Sequence, residues 1–210
     1  MKPTRQPQIL TIQPGNENAV VRQTVKALKK GALVILPTDT VYGIAADSSV
    51  PGAEDRLFEA KNRKRNKPVP LLAASITDVK EYGACFNDLE RKLAEQFWPG
   101  PLTLVLEVRD LETEHRSEGF RIPDCAITQA VLKEAGGILR VTSANKSNEP
   151  PALIAEDAMR ALGDFTDVVI DAGPVPGGTP STVIKVHGEE IVVLREGAIG
   201  KSRLSAASYE

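Results

Sequence analysis

The chain has 210 residues, of which 41% are hydrophobic, 26% charged and 4% aromatic, and its formal net charge is -2. That length buries a sizeable core without disulfide staples, and the mild acidity excludes a protein that coats nucleic acid over its whole surface. So few rings exclude a broad base-stacking platform, and no apolar run reaches the ~18 residues of a membrane span.

In chain order, Val21, Val25 and Leu28 share one helical face, and Gly31 follows as a stop. "ALVILP" reads as a buried strand ended by Pro37, "TDT" as a turn, and "VYGIAA" as a second strand. "AEDRLFEAK" is helical and runs into a basic segment. "VPLLAA" is a strand. "SITDVKEY" opens with a capping pattern, and "NDLERKLAEQF" is a clearer helix with Asn87 at its N-cap, broken by "WPGP". "LTLVLEV" is a strand, residues 109–118 read as a charged loop, and "GFRIP" is short and extended. "AITQAVLKEAGG" is a helix stopped by Gly136 or Gly137. A strand "ILRVTS", a loop "ANKSNEPP", a helix "AEDAMRALG" and a strand "DVVID" follow. The loop "AGPVPGGTPS" leads to a strand pair, "TVIKV" and "EIVVLR", and the tail "GKSRLSAASYE" reads as partly mobile.

Interleaved strands and helices predict an α/β fold with a mixed parallel and antiparallel sheet. The terminal strand pair rules out a purely parallel one. One domain covers residues 1–210. Cys85 and Cys125 lie in no CxxC and no Cys/His cluster, which fits two reduced thiols. "MKPTRQPQIL" lacks a signal-peptide core, so the expected location is the cytoplasm.

The sequence contains neither GxxxxGK[ST] nor GxGxxG after a strand. His115 and His187 read as surface residues, not members of a triad. Four polar segments carry the chemistry instead: "PTDTVYG", "KNRKRNKP", "TSANKSNEPP" and "GPVPGGTPSTV". Five of the seven residues from Lys61 to Lys67 are basic and none is acidic, which points to an anionic ligand. Each segment alone has a plain reading as a turn, a polar connection or a solvated helix end.

Together, "PTDTVYG", a Lys-x-Arg segment, "FWPGPLTLVL", "FRIP", "SAN", "STV" and "LREG" resemble the YrdC family from about residue 14 to about residue 200. The resemblance implies a twisted mixed sheet, with surrounding helices and a central positively charged cavity. It implies an L-threonylcarbamoyladenylate synthase, a nucleotidyltransferase. Such an enzyme joins L-threonine, bicarbonate or CO2, and ATP with Mg2+ into threonylcarbamoyl-AMP and pyrophosphate, for threonylcarbamoylation of tRNA adenosine 37. The chain resembles the short, single-domain members, and a tRNA-modifying transferase complex is the implied partner.

Carried over residue by residue, the catalytic pair is Lys61 and Arg63. The ATP contacts are Lys61, Arg63, Lys67, Ser117, Asn145 and Arg195, and the threonine contacts are Thr38, Tyr42, Arg121, Ser143 and Ser181. The resemblance assigns no protein side chain to the metal. Where many relatives carry a histidine after the basic segment this chain has Leu72, and where a threonine often follows "SAN" it has Leu153. Two other readings stay open: an RNA-binding or ribosome-associated module with weak RNA affinity, and a paralogue with a different acyl substrate.

Overall fold

The computed structural model describes residues 6–65, 67–109, 116–146 and 149–209. The elements run β1 (Gln8–Thr11), α1 (Glu17–Leu28), β2 (Val34–Leu36), β3 (Gly43–Ala46), α2 (Ala53–Ala60), β4 (Leu71–Ala73), α3 (Ile76–Glu81), β5 (Ala84–Cys85) and α4 (Asp88–Phe97). They continue with β6 (Leu102–Val108), β7 (Arg116–Arg121), α5 (Ala126–Ala135), β8 (Ile138–Ser143), α6 (Ala155–Leu162), β9 (Val168–Asp171), β10 (Thr182–His187), β11 (Glu190–Arg195) and α7 (Lys201–Tyr209).

The strands form one sheet in the order β1-β9-β2-β3-β8-β4-β7-β6-β10-β11, with β5 paired to β6. The pairs β1/β9, β2/β9, β4/β7 and β6/β10 are parallel, and the remaining pairs are antiparallel. The sheet is therefore mixed, as the sequence predicts.

Strand periodicity divides the core. Side chains alternate between faces of a strand. Val34 and Leu36 of β2 pack with α1 and α5, through Val21, Val25, Leu28, Val131 and Leu132. Ile35, between them, packs on the other face with Leu57 and Phe58 of α2 and Ala158 and Leu162 of α6. Both faces of β2 are covered, which is why it reads as an unbroken apolar run. A third cluster joins Leu93 and Phe97 of α4 to Leu102, Leu104 and Phe120 of the sheet. Local signals match the helix ends. Asn87 and Glu90 form a reciprocal capping box with two 2.8 Å bonds, and α5 stops at Gly136, whose φ is 109°.

Two of these readings change. Arg116–Glu118 belong to β7 and are not loop, because they pair with β6 in the register Glu107↔Ser117. The tail is not loose: α7 packs on α4, with Leu204 only 2% exposed and Arg203 over the Phe97 ring. β1 and the two-residue β5 carry too little patterning to be seen in the sequence. His115 lies outside the described residues, and His187 is exposed at the end of β10. Among the described residues both cysteines are free thiols, and no helix is long and apolar enough to cross a membrane.

Candidate active site

The turn after β2 is self-braced. The Thr38 hydroxyl donates to the Val41 carbonyl at 2.7 Å and accepts from the Thr40 and Val41 amides at 3.1 and 3.2 Å. This bonding explains the first threonine of "PTDT", whose hydroxyl replaces missing backbone partners in a tight turn, whereas Asp39 accepts from Arg121 and from the Asp124 amide instead of its own turn. The glycine-rich loop before β10 lies directly on it. Gly178 N donates to Thr40 O at 2.8 Å. A Cβ on Gly177 would come within 2.3 Å of Thr40 O and 2.5 Å of Thr40 Cα, so the backbones approach too closely for any side chain.

At the end of α2, Lys61 turns inward. It is 5% exposed, and its Nζ donates to Ser143 O at 2.7 Å and also to Asn145 O. Asn62 then takes a positive φ of 44°, a conformation asparagine tolerates better than most residues. That twist carries the chain out of the helix. Arg63 is held by its own loop, donating from Nε to Lys67 O at 2.8 Å and from Nη2 to Pro68 O at 2.9 Å.

These segments meet around a hollow of ≈ 150 Å³. Thr38, Thr40, Thr103, Ser143 and Ser181 supply hydroxyls to its wall, and Arg63, Arg121 and Arg195 supply guanidinium groups. Val41, Leu72 and Val141 form an apolar side. Arg121, 6% exposed, is fixed on three sides: Nε to Gly100 O at 3.0 Å, Nη1 to Thr40 Oγ1 at 2.9 Å, and Nη2 to Asp39. Arg195 stands at the mouth and donates to Ser181 O at 2.8 Å.

The cations feel one another. Burial first, and then the charge of Arg63, brings the Lys61 ammonium down to about 8, partly offset by Glu149. Burial lowers Arg63. Arg195 is lowered by desolvation and by Arg63, and Arg121 by burial and by Arg195 against the opposing pull of Asp39. Like charges held this close are relieved by an anion.

Not every expected residue reaches the hollow. Tyr42 does not, because it lies between Val41 and Gly43, which do, and alternation sends its ring to the opposite face. There it is 0% exposed, its hydroxyl donating to Gly173 O at 2.7 Å, and burial raises its pKa. Ser117 lies four residues before Arg121, about 13 Å back along the strand, and is exposed opposite Glu107. Lys67 is exposed and contributes its carbonyl, not its ammonium. Asn145 lines a neighbouring hollow of ≈ 390 Å³ and meets the site through Lys61. Thr40 and Thr103 line the hollow in addition to the expected residues. Both lie inside the motifs named above, and Thr103 falls on the strand face opposite Leu102, Leu104 and Leu106 yet stays 2% exposed. A larger hollow of ≈ 680 Å³ between β1, α1 and α2 contains none of the motif residues.

Such an arrangement defines an α/β protein with a hollow lined by three arginines and a set of hydroxyls. Residues 26–197 match the Sua5/YciO/YrdC family, described as "Telomere recombination", and the chain belongs to that family. A Mycobacterium tuberculosis relative, provisionally named threonylcarbamoyl-AMP synthase, is 36% identical over 91% of this chain and 90% of its own length. The mouse threonylcarbamoyl-AMP synthase is 36% identical over 74% of this chain and 56% of its own. The structure of P. abyssi Sua5 complexed with L-threonine superposes with a TM-score of 0.87 at 27% identity, covering 95% of this chain and 60% of that one. The chain thus spans a little over half of the mouse protein and 60% of the Sua5 chain.

Proposed function

We propose that this chain is an L-threonylcarbamoyladenylate synthase, working in the cytoplasm to supply a tRNA-modifying transferase complex. The observation that carries this reading is the convergence of Arg63, Arg121, Arg195, Thr38, Ser143 and Ser181 from six separated segments on one hollow, with Lys61 bonded to its Ser143 wall.

The chemistry explains the composition of the site. The threonine amine and bicarbonate or CO2 give a carbamate, whose oxygen attacks the α-phosphate of ATP and expels pyrophosphate. Carbamate, carboxylate and triphosphate repel one another strongly in a partly dry cavity. Arginine forks suit carboxylate and phosphate oxygens. Arg121 takes the threonine carboxylate through N–H groups not already bonded, while Arg63 and Arg195 face the phosphates. Lys61 is a point charge on the carbamate or phosphates. The hydroxyls of Thr38, Ser143 and Ser181 recognise the threonine side, and Val41, Leu72 and Val141 offer its methyl an apolar wall. Positioning and charge stabilisation supply most of the rate in phosphoryl-type transfer, so no acid–base pair is required.

Magnesium enters as part of the MgATP substrate. Among the described residues no three His, Cys, Asp or Glu side chains are grouped to hold it from the protein side. The RNA-binding alternative is not favoured, since the relatives are named as synthases. A different acyl substrate remains a second reading because Leu72 lines the hollow.

Pyrophosphate release with ATP, Mg2+ and bicarbonate tests both readings. Release that depends on threonine, and exceeds that with serine or valine, is expected. Threonine-independent release, or a preference for another amino acid, overturns the assignment.

A further inference from the structure

One buried charged pair lies outside the hollow. Arg140 of β8 and Glu118 of β7 are each 8% exposed, and they meet in a fork of two 2.7 Å hydrogen bonds. Their strands flank β4, with Arg140 in register with Leu71. Arg140 Nη1 also donates to Val69 O at 2.8 Å, just before β4 begins. Its Nε lies 3.3 Å from Glu54 Oε1 in the first turn of α2, without forming a hydrogen bond. One guanidinium therefore touches both ends of the stretch 54–69, which leaves the helix, carries Lys61 and Arg63, and returns to the sheet.

Arg63 depends on that stretch. Its Nε and Nη2 bond to the carbonyls of Lys67 and Pro68, the residues immediately before Val69. A displacement of Val69 is transmitted through one peptide to the Pro68 oxygen that aims the guanidinium. A buried ion pair adds little to stability compared with an apolar pair of equal volume. What the fork supplies is direction, because its planar geometry fixes where the Val69 carbonyl lies.

We infer that Arg140, oriented by Glu118, is a positioning residue that aims Arg63 at the nucleotide. The inference rests on the reading of Arg63 as a phosphate contact. It predicts a ligand-selective defect: nucleotide affinity falls while threonine affinity holds, because Arg121 is anchored independently on Gly100, Thr40 and Asp39.

The test uses the full chain and two variants. Arg140→Lys keeps a cation for Glu118 but cannot fork. The double variant Arg140→Met/Glu118→Leu removes both charges, so neither is left buried without its counterion. Binding is titrated with a fluorescent ATP analogue plus Mg2+, threonine binding is followed by calorimetry, and thermal melting verifies folding. The nucleotide Kd rises about tenfold in either folded variant, by analogy with losing a partner that orients a metal ligand, with threonine binding unchanged. A folded variant that binds the nucleotide like wild type, or that loses both ligands in proportion, overturns the positioning role alone. A wild-type chain that binds no nucleotide overturns the reading of Arg63 and this inference with it.

Discussion

The Arg195 guanidinium clasps Ser181, donating from Nη2 to its carbonyl at 2.8 Å and its hydroxyl at 3.0 Å. The Ser181 hydroxyl is in turn 2.8 Å from Thr103 Oγ1. A cation from the last strand is thereby tied to the start of β10 and to β6, and its position at the mouth is set by the sheet rather than by a free side chain. This is the kind of preorganisation that favours transition-state charge without reorganisation during the reaction.

Lys61 and Arg63 are expected to matter most for rate. Lys61→Ala or Arg63→Ala costs at least ~2 kcal/mol of transition-state stabilisation, comparable with the loss of an oxyanion donor. The measurement is kcat/KM for threonine-dependent pyrophosphate release. Near-wild-type turnover in either variant means the site has been misplaced.

Rate and stability should part company in alkaline solution. In the folded chain Lys61 holds its proton only below about pH 8, against an ordinary value of 10.5. Its charge is lost as the pH rises past about 8, and kcat/KM for ATP falls there. Between about pH 8 and 10.5 the unfolded chain binds the extra proton, so this group's contribution to stability rises across that window and is least below it. A pH–rate profile taken beside urea midpoints separates the two, and a profile flat to pH 9.5 contradicts the role given to Lys61.

Gly177→Ala tests the seam between two site loops. The new methyl meets Thr40 O at 2.3 Å and Asp39 O at 2.7 Å, both backbone atoms that cannot swing aside. The expected cost is ~1–3 kcal/mol in thermal or urea unfolding, typical of overpacking, together with a raised KM for threonine. An unchanged KM separates this loop from the substrate.

The Asp39–Arg121 pair, with side chains 12% and 7% exposed, is buried enough that losing one partner leaves an uncompensated charge. Asp39→Ala is expected to cost about 3 kcal/mol or more, read as a shift of the urea midpoint. An unshifted midpoint denies the pair a structural role.

Leu204→Ala addresses the C-terminal helix. Leu204 is 2% exposed in the cluster that holds Phe97 and Ile199. Truncating it should destabilise the chain by about 2–5 kcal/mol, as for other buried leucines. Thermal melting checks this, and a neutral effect returns the tail to the surface.

Much of the sheet was legible because its signals are local. The β2 run is apolar on both faces, the Asn87 box sits three residues from Glu90, and β10 and β11 flank a glycine turn. The misses depend on distant partners. Glu118 looks like a loop charge until Arg140, far along the chain, buries it. β1 shows one buried residue, Leu10, and gains its meaning only from β9. Among the described side chains of α7, only Leu204 is buried. In the site, the motif spacing carried Thr38, Arg63, Arg121, Ser143, Ser181 and Arg195 to one place, but it did not reveal which face of the strand Tyr42 would take.

Because β10 enters the sheet beside β6, and Arg195 closes the rim from the strand after it, the pocket cannot be assembled from the front of the chain alone. During synthesis the ribosome must release nearly two hundred residues before the last guanidinium arrives. Such long-range pairing is slow to form and leaves apolar surface uncovered meanwhile. On the proposed roles, a nascent chain lacks the Arg195 side of the hollow until β11 has joined the sheet, and newly acquired catalysis would serve as a timer for that step.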